Sequence, residues 1–191
     1  GVEFMQFIPI VERAGNRAAH GLGLDLALPP DLRADDNPVA VMPWSVSSEG
    51  FGDFLIGIFD EWIQADIGRI FVNLFDVALG AWSGMESSLC TFARRCGQAV
   101  AMEHDGSVYS CDHYVYPSHY LGNIMDATMG EMIATPAQLK FGNDKQDALP
   151  KYCRECEFLF ACNGECPKHR FMNTPNGEPG LNYLCAGYKK F

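Results

Sequence analysis

Eight cysteines, at positions 90, 96, 111, 153, 156, 162, 166 and 185, are the residues best equipped for chemistry; the first 89 residues contain none. Thiolates bind soft metals, pair as disulfides or act as nucleophiles. An even count is compatible with a disulfide framework. Such frameworks, however, serve small domains that are short of core, and this chain of 191 residues is 48% hydrophobic and 12% aromatic. Close pairs such as Cys153 and Cys156 suit chelation of one metal centre, so metal ligation is expected rather than cross-linking.

The run Cys153-x2-Cys156-x5-Cys162-x3-Cys166-Pro167 is the most specific feature. A Cys-x2-Cys loop can wrap a metal or cluster with its backbone amides turned toward the sulfurs. The ending Cys-x3-Cys-Pro resembles the bacterial ferredoxin run, whose last cysteine ligates the other cluster, although the x5 gap departs from it. By that analogy Cys166 joins Cys90, Cys96 and Cys111, while Cys153, Cys156, Cys162 and Cys185 form a second set of four. Structural zinc also favours four thiolates, so spacing alone leaves iron–sulfur and zinc both open. Either way no cysteine remains as a nucleophile.

The histidines at 20, 104, 113, 119 and 169 are expected to hydrogen-bond or face solvent rather than to ligate, because eight thiols suffice for two sites. Asp112 stands apart because it follows Cys111. It reads either as a turn-capping carboxylate or as a general base whose pKa burial and a neighbouring anionic cluster would raise.

These residues must be positioned by two kinds of segment. The run Val2 to Ile10 reads as a buried strand of a parallel sheet, closed by Pro9. Arg13 to Pro43 has no clear period and reads as a long loop. Phe51, Phe54, Leu55, Ile58, Phe59 and Trp62 recur at helical spacing behind an N-cap at Ser47 or Ser48. Ile70 to Phe75 reads as a strand and Asp76 to Trp82 as a turn or short helix. Strand, crossover helix and strand make a βαβ unit but no complete barrel. After about residue 83 the pattern changes. A hairpin is expected around Asp105-Gly106, joining 98–103 to 107–110, then a helix across 130–140 broken or begun near Pro136. Beyond Pro150 the sequence reads as cysteine-rich loop. The fold class is thus α+β, with a boundary between residues 82 and 83.

The net charge of −10 and the lack of a basic run exclude a general nucleic-acid role. No stretch approaches the ~20 apolar residues of a membrane span. The N-terminus carries no signal-peptide pattern, so a cytoplasmic protein is expected, and the opening reads as the middle of something longer.

The string Glu103-His104-Asp105-Gly106-Ser107-Val108-Tyr109-Ser110-Cys111-Asp112-His113 resembles a signature of the anaerobic sulfatase-maturating enzymes. So do Leu121-Gly122-Asn123-Ile124, Cys166-Pro167-Lys168-His169-Arg170-Phe171 and Gly180-Leu181-Asn182-Tyr183-Leu184-Cys185, with Phe59-Asp60-Glu61-Trp62 and Met5-Gln6-Phe7-Ile8-Pro9 upstream. The resemblance implies that residues 1–82 are the C-terminal portion of a radical SAM partial barrel. Residues 83–191 would be a SPASM domain with two auxiliary 4Fe–4S clusters, which favours iron–sulfur over zinc. It also implies oxidation of a sulfatase Cys or Ser to Cα-formylglycine, initiated by S-adenosylmethionine on a third cluster. Asp112 would be the base, and a reducing flavodoxin or ferredoxin the redox partner. No Cys-x3-Cys-x2-Cys occurs in the chain, so on its own it should not cleave S-adenosylmethionine. A peptide-modifying enzyme that forms thioether crosslinks, and a zinc-stapled peptide-binding module, are the alternatives.

Overall fold

The apolar opening run yields only a short strand, β1 (Phe4–Met5), in a computed structural model that describes residues 1–15, 17–21, 23–30 and 40–191. β1 pairs in parallel with β2 (Phe71–Val72), Phe4 opposite Phe71. The parallel pairing fits the sequence; the expected burial does not, because Phe4 is 72% and Ile8 71% exposed. Parallel strands are buried when both faces are covered, and this sheet has two strands. The expected loop at 13–43 contains α1 (Arg17–Gly21) and two isolated bridges, Arg13 to Val41 and Ala14 to Leu26. Its residues 16, 22 and 31–39 lie outside the described residues.

The chain divides into two units, residues 1–93 with 150–191, and residues 94–149. In the first, α2 (Ser48–Ala65) begins where Ser47 Oγ accepts the Gly50 N–H at 3.2 Å, with Glu49 in the first turn. Its Phe51, Leu55 and Trp62 join Val72, Phe75, Phe171 and Leu184 in the core. The Trp62 indole donates to Ile70 O at 2.7 Å, so the helix holds the approach to β2. α3 (Asn73–Trp82) starts directly after β2, making Asn73, Leu74 and Phe75 helical instead of strand. Leu74, Phe75, Val77 and Ala81 are buried at helical spacing. A short apolar run does not reveal its period until it is read together with the residues after it.

The second unit opens on β3 (Ala101–Met102), antiparallel to β4 (Ser107–Tyr109) as the Asp105-Gly106 turn predicts. Gly106 has φ 84°, a left-handed turn position that suits glycine. A third strand, β5 (Tyr120–Asn123), pairs with β4 and has no strong sequence signal. The helix expected at 130–140 is two: α4 (Met129–Ile133), with a Thr128–Glu131 capping box, and α5 (Pro136–Asp147), capped by Thr135.

Residues 150–191 return to the first unit with α6 (Lys151–Arg154), α7 (Leu159–Cys162), the antiparallel pair β6 (Met172–Asn173) and β7 (Pro179–Leu181), and α8 (Cys185–Lys190). The cysteine-rich segment is therefore more ordered than expected. α8 lies against α2 through two glycines: a Cβ on Gly187 would sit 2.0 Å from Ser48 O, and one on Gly52 would sit 2.7 Å from Gly187 O. Ser48 Oγ accepts the Gly187 N–H at 2.9 Å. Gly187→Ala is thus expected to destabilise the chain by about 1–3 kcal/mol through overpacking. Denaturant midpoints measure it against Gly57→Ala, whose Cβ meets nothing within 4 Å.

A candidate metal centre built from cysteine thiols

Cys153, Cys156, Cys162 and Cys185 line one cavity of about 400 Å³. Cys153 lies on α6, Cys162 ends α7 and Cys185 begins α8. Cys156 sits in the turn between α6 and α7, its N–H donating to Cys153 O at 3.1 Å. Apolar and aromatic side chains, among them Phe59, Leu74, Trp82, Phe158 and Phe191, form the walls. Among the described residues, no three of these sulfurs lie within 4.8 Å of one another. A tetrahedral zinc with ~2.3 Å bonds would hold its sulfurs ~3.8 Å apart.

Burial pushes the Cys153 thiol up to about 11, the Cys185 thiol adding to it. Burial likewise drives Cys162 to about 12 and raises Cys185. Metal-free, these groups are neutral thiols, and only a compensating cation can hold several thiolates together in this cavity. Folded values above the ordinary 9.0 mean that their contribution to stability is present below pH 9 and lost as pH rises through 11 and 12. The metal-free protein is therefore expected to lose stability across that alkaline window, seen as a falling denaturant midpoint. A midpoint unchanged between pH 9 and 11 would contradict the desolvated site.

The loop from Cys162 to Cys166 runs through three successive left-handed residues, Asn163 (φ 46°), Gly164 (φ 72°) and Glu165 (φ 55°). For Glu165 this conformation is costly and must be held by its surroundings. The buried Glu165 carboxylate accepts from His169 Nδ1 at 3.0 Å and from Asn182 Nδ2 at 2.5 Å. Asn182 also accepts the Leu184 N–H at 2.7 Å, fixing the turn into Cys185. His169 thus hydrogen-bonds, as expected. Sequence reasoning missed Glu165 and Asn182 as supports; Asn163-Gly164 was the available signal for the left-handed turn.

The other expected set is distributed over the two units. Cys90 is exposed and Cys166 buried in the first; Cys96 and Cys111 are half-buried in the second. Within the second unit, buried Gln138 on α5 donates from Nε2 to Gly97 O at 2.7 Å and to Ser110 O at 3.1 Å. One side chain thereby fixes the residue after Cys96 and the residue before Cys111. Gly142 permits the approach, since a Cβ there would sit 2.3 Å from Cys96 O. Neither residue carries a sequence signal for this role.

The Asp112 side chain is 79% exposed, and His113 Nε2 lies 3.9 Å from Asp112 Oδ2. Cys111 Sγ donates to Asp112 Oδ1 at 3.0 Å. That bond is the main cause holding the carboxyl below its ordinary value. The expected upward shift is therefore not found: the carboxylate is open to solvent and has a thiol donor beside it. Once Cys111 is a thiolate ligand, that donor disappears.

Residues 90–157 match SPASM, the iron–sulfur cluster-binding domain. The chain is 48% identical, over 98% of its length, to a serine-type anaerobic sulfatase-maturating enzyme of Bacteroides thetaiotaomicron, of which it covers 44%. The chain is a relative of the anaerobic sulfatase-maturating enzymes. A cysteine-type enzyme of Clostridium perfringens is 31% identical over 78% of the chain and 40% of the enzyme. Among solved structures, native anSMEcpe with bound AdoMet and Kp18Cys peptide superposes with a TM-score of 0.70 at 28% identity, covering 98% of this chain and 46% of that one. The chain spans less than half the length of the curated relatives it matches. The neighbours share its mixed helix and strand content, and no described helix is long and apolar enough to cross a membrane.

Proposed function

We propose that the chain is the auxiliary-cluster part of a cytoplasmic radical SAM enzyme that oxidises an active-site Cys or Ser of sulfatases to Cα-formylglycine. Residues 1–82 would close a partial barrel and residues 83–191 would be the SPASM domain. The observation that carries the reading is the convergence of Cys153, Cys156, Cys162 and Cys185 on one apolar cavity in a chain with sulfatase-maturating relatives. The match of residues 90–157 to an iron–sulfur cluster-binding domain favours a cluster over a single zinc. Cys90, Cys96, Cys111 and Cys166 are assigned to a second 4Fe–4S cluster on the sequence pattern.

Bound clusters would supply one-electron acceptors near the substrate. The oxidation removes from the target residue one hydrogen atom at Cβ, taken by the deoxyadenosyl radical, one proton at sulfur or oxygen and one electron. A serine target then gives the aldehyde directly, and a cysteine target a thioaldehyde that water converts to the aldehyde with release of hydrogen sulfide. In this reading Asp112 would take the proton, and Cys153, Cys156, Cys162 and Cys185, with Cys90, Cys96, Cys111 and Cys166, would hold the thiolate-ligated clusters that accept the electron. A flavodoxin or ferredoxin would exchange electrons with the enzyme, and S-adenosylmethionine with a third cluster would act in the remainder of the protein. The full-length protein, incubated anaerobically with S-adenosylmethionine, a reductant and a sulfatase-derived peptide, is expected to give formylglycine by mass spectrometry. A thioether-crosslinked product, or an unchanged peptide alongside full deoxyadenosine release, would overturn the proposal.

A further inference from the structure

A buried cation lies where the two proposed ligand sets approach each other in sequence. Arg170 is 1% exposed, in the first unit, and follows Cys166 by four residues. Its Nε donates to Gly164 O at 2.8 Å, and its Nη2 donates to Asn163 O at 2.8 Å and Glu165 O at 3.1 Å. All three carbonyls belong to the left-handed residues between Cys162 and Cys166. A planar fork with fixed N–H directions can gather them; a lysine ammonium would bring the charge without the fork. Gathering carbonyls, however, does not require a full charge in a place this dry, where an uncompensated cation is costly.

The charge has other partners. Bonds to the carbonyls of residues 163–165 place the guanidinium in the loop bounded by Cys162 and Cys166. Cys153, Cys162 and Cys166 would each bear on its charge as thiolates, beside the carboxylate of Glu165. Cys153 and Cys162 belong to the cavity set, and Cys166 to the other. Each thiol that ligates iron becomes a thiolate, so Arg170 would lie beside one ligand of each proposed set, Cys162 and Cys166, at the two ends of one five-residue loop.

We infer that Arg170 is the shared counter-charge of both cluster sites, raising the reduction potential of each while its fork shapes the loop that joins them. The inference rests on the two-cluster reading. Cluster potentials depend on nearby net charge and on burial, and in a low-dielectric interior a unit charge is felt strongly. Adding an electron makes either site more negative, which a fixed cation stabilises; removing the cation must therefore lower both potentials. Arg170 would be a positioning and tuning residue, touching neither substrate nor reacting atoms.

The test is an electron paramagnetic resonance redox titration of the anaerobically reconstituted protein, beside its iron content, for wild type, Arg170→Gln and Arg170→Lys. Wild type without iron or signal would remove the two-cluster reading itself. With iron present, Arg170→Gln is expected to shift both signals to lower potential, and Arg170→Lys to leave them near wild type. Iron retained in Arg170→Gln with one or both potentials unmoved overturns the inference. Should Arg170→Gln hold no iron, Arg170→Lys decides: iron retained at unshifted potentials supports the charge role. Iron lost, or potentials shifted, in that variant would leave Arg170 as a loop tie and nothing more.

Discussion

Asp112→Asn in the full-length protein is expected to slow formylglycine formation by ~10²–10⁴-fold, the usual loss when a positioned base is removed. Cluster content and S-adenosylmethionine cleavage should stay near wild type. The substitution keeps the shape of the side chain and leaves the Cys111 backbone undisturbed. Asp112 is largely open to solvent and adjoins a proposed ligand, so a docked polypeptide could reach it. A carboxylate held below its ordinary value is already deprotonated at neutral pH, and so it is available to accept a proton without a prior rise in pKa. Ligation of Cys111 removes the thiol donor that holds it down, which increases its basicity in the loaded protein. Deoxyadenosine quantitation beside peptide mass spectrometry separates the two steps. Near-normal formylglycine production would return Asp112 to a turn-capping role.

Legibility in the sequence followed how local the deciding physics is. The α2 stripe and its Ser47 cap were readable because a helix repeats its signal over many residues. The Asp105-Gly106 turn was readable because its backbone demand falls on one glycine. The start of α3 was misjudged at Asn73 to Phe75, where three residues fit either period. β5 was missed because its pairing partner, β4, lies across an intervening loop. The cysteines announced a metal centre, but their supports are long-range. Gln138 reaches two loops that are distant in sequence, and Glu165 meets Asn182 across seventeen positions. Nothing in the types of those residues distinguishes them from surface polar groups. Asp112 shows the converse: its neighbour was legible, whereas its exposure depends on what surrounds it in space.

The largest effect expected of the chain itself is its metal content. Two fully thiolate-ligated 4Fe–4S clusters require about eight iron atoms per chain and give a brown, broadly absorbing protein. All eight cysteines are used in that count. Cys153→Ala combined with Cys185→Ala leaves the apolar cavity set two thiolates, too few to hold a 4Fe–4S cluster, and the iron should fall to about four. The other set shares no ligand with it and should persist, so the remaining signal would come from a single cluster. Iron, sulfide and zinc determination on anaerobically reconstituted protein is the most direct measurement. About eight iron and eight sulfide per chain, halved by the Cys153→Ala, Cys185→Ala double variant, is the predicted result. Stoichiometric zinc, with no iron taken up under those conditions, would contradict it.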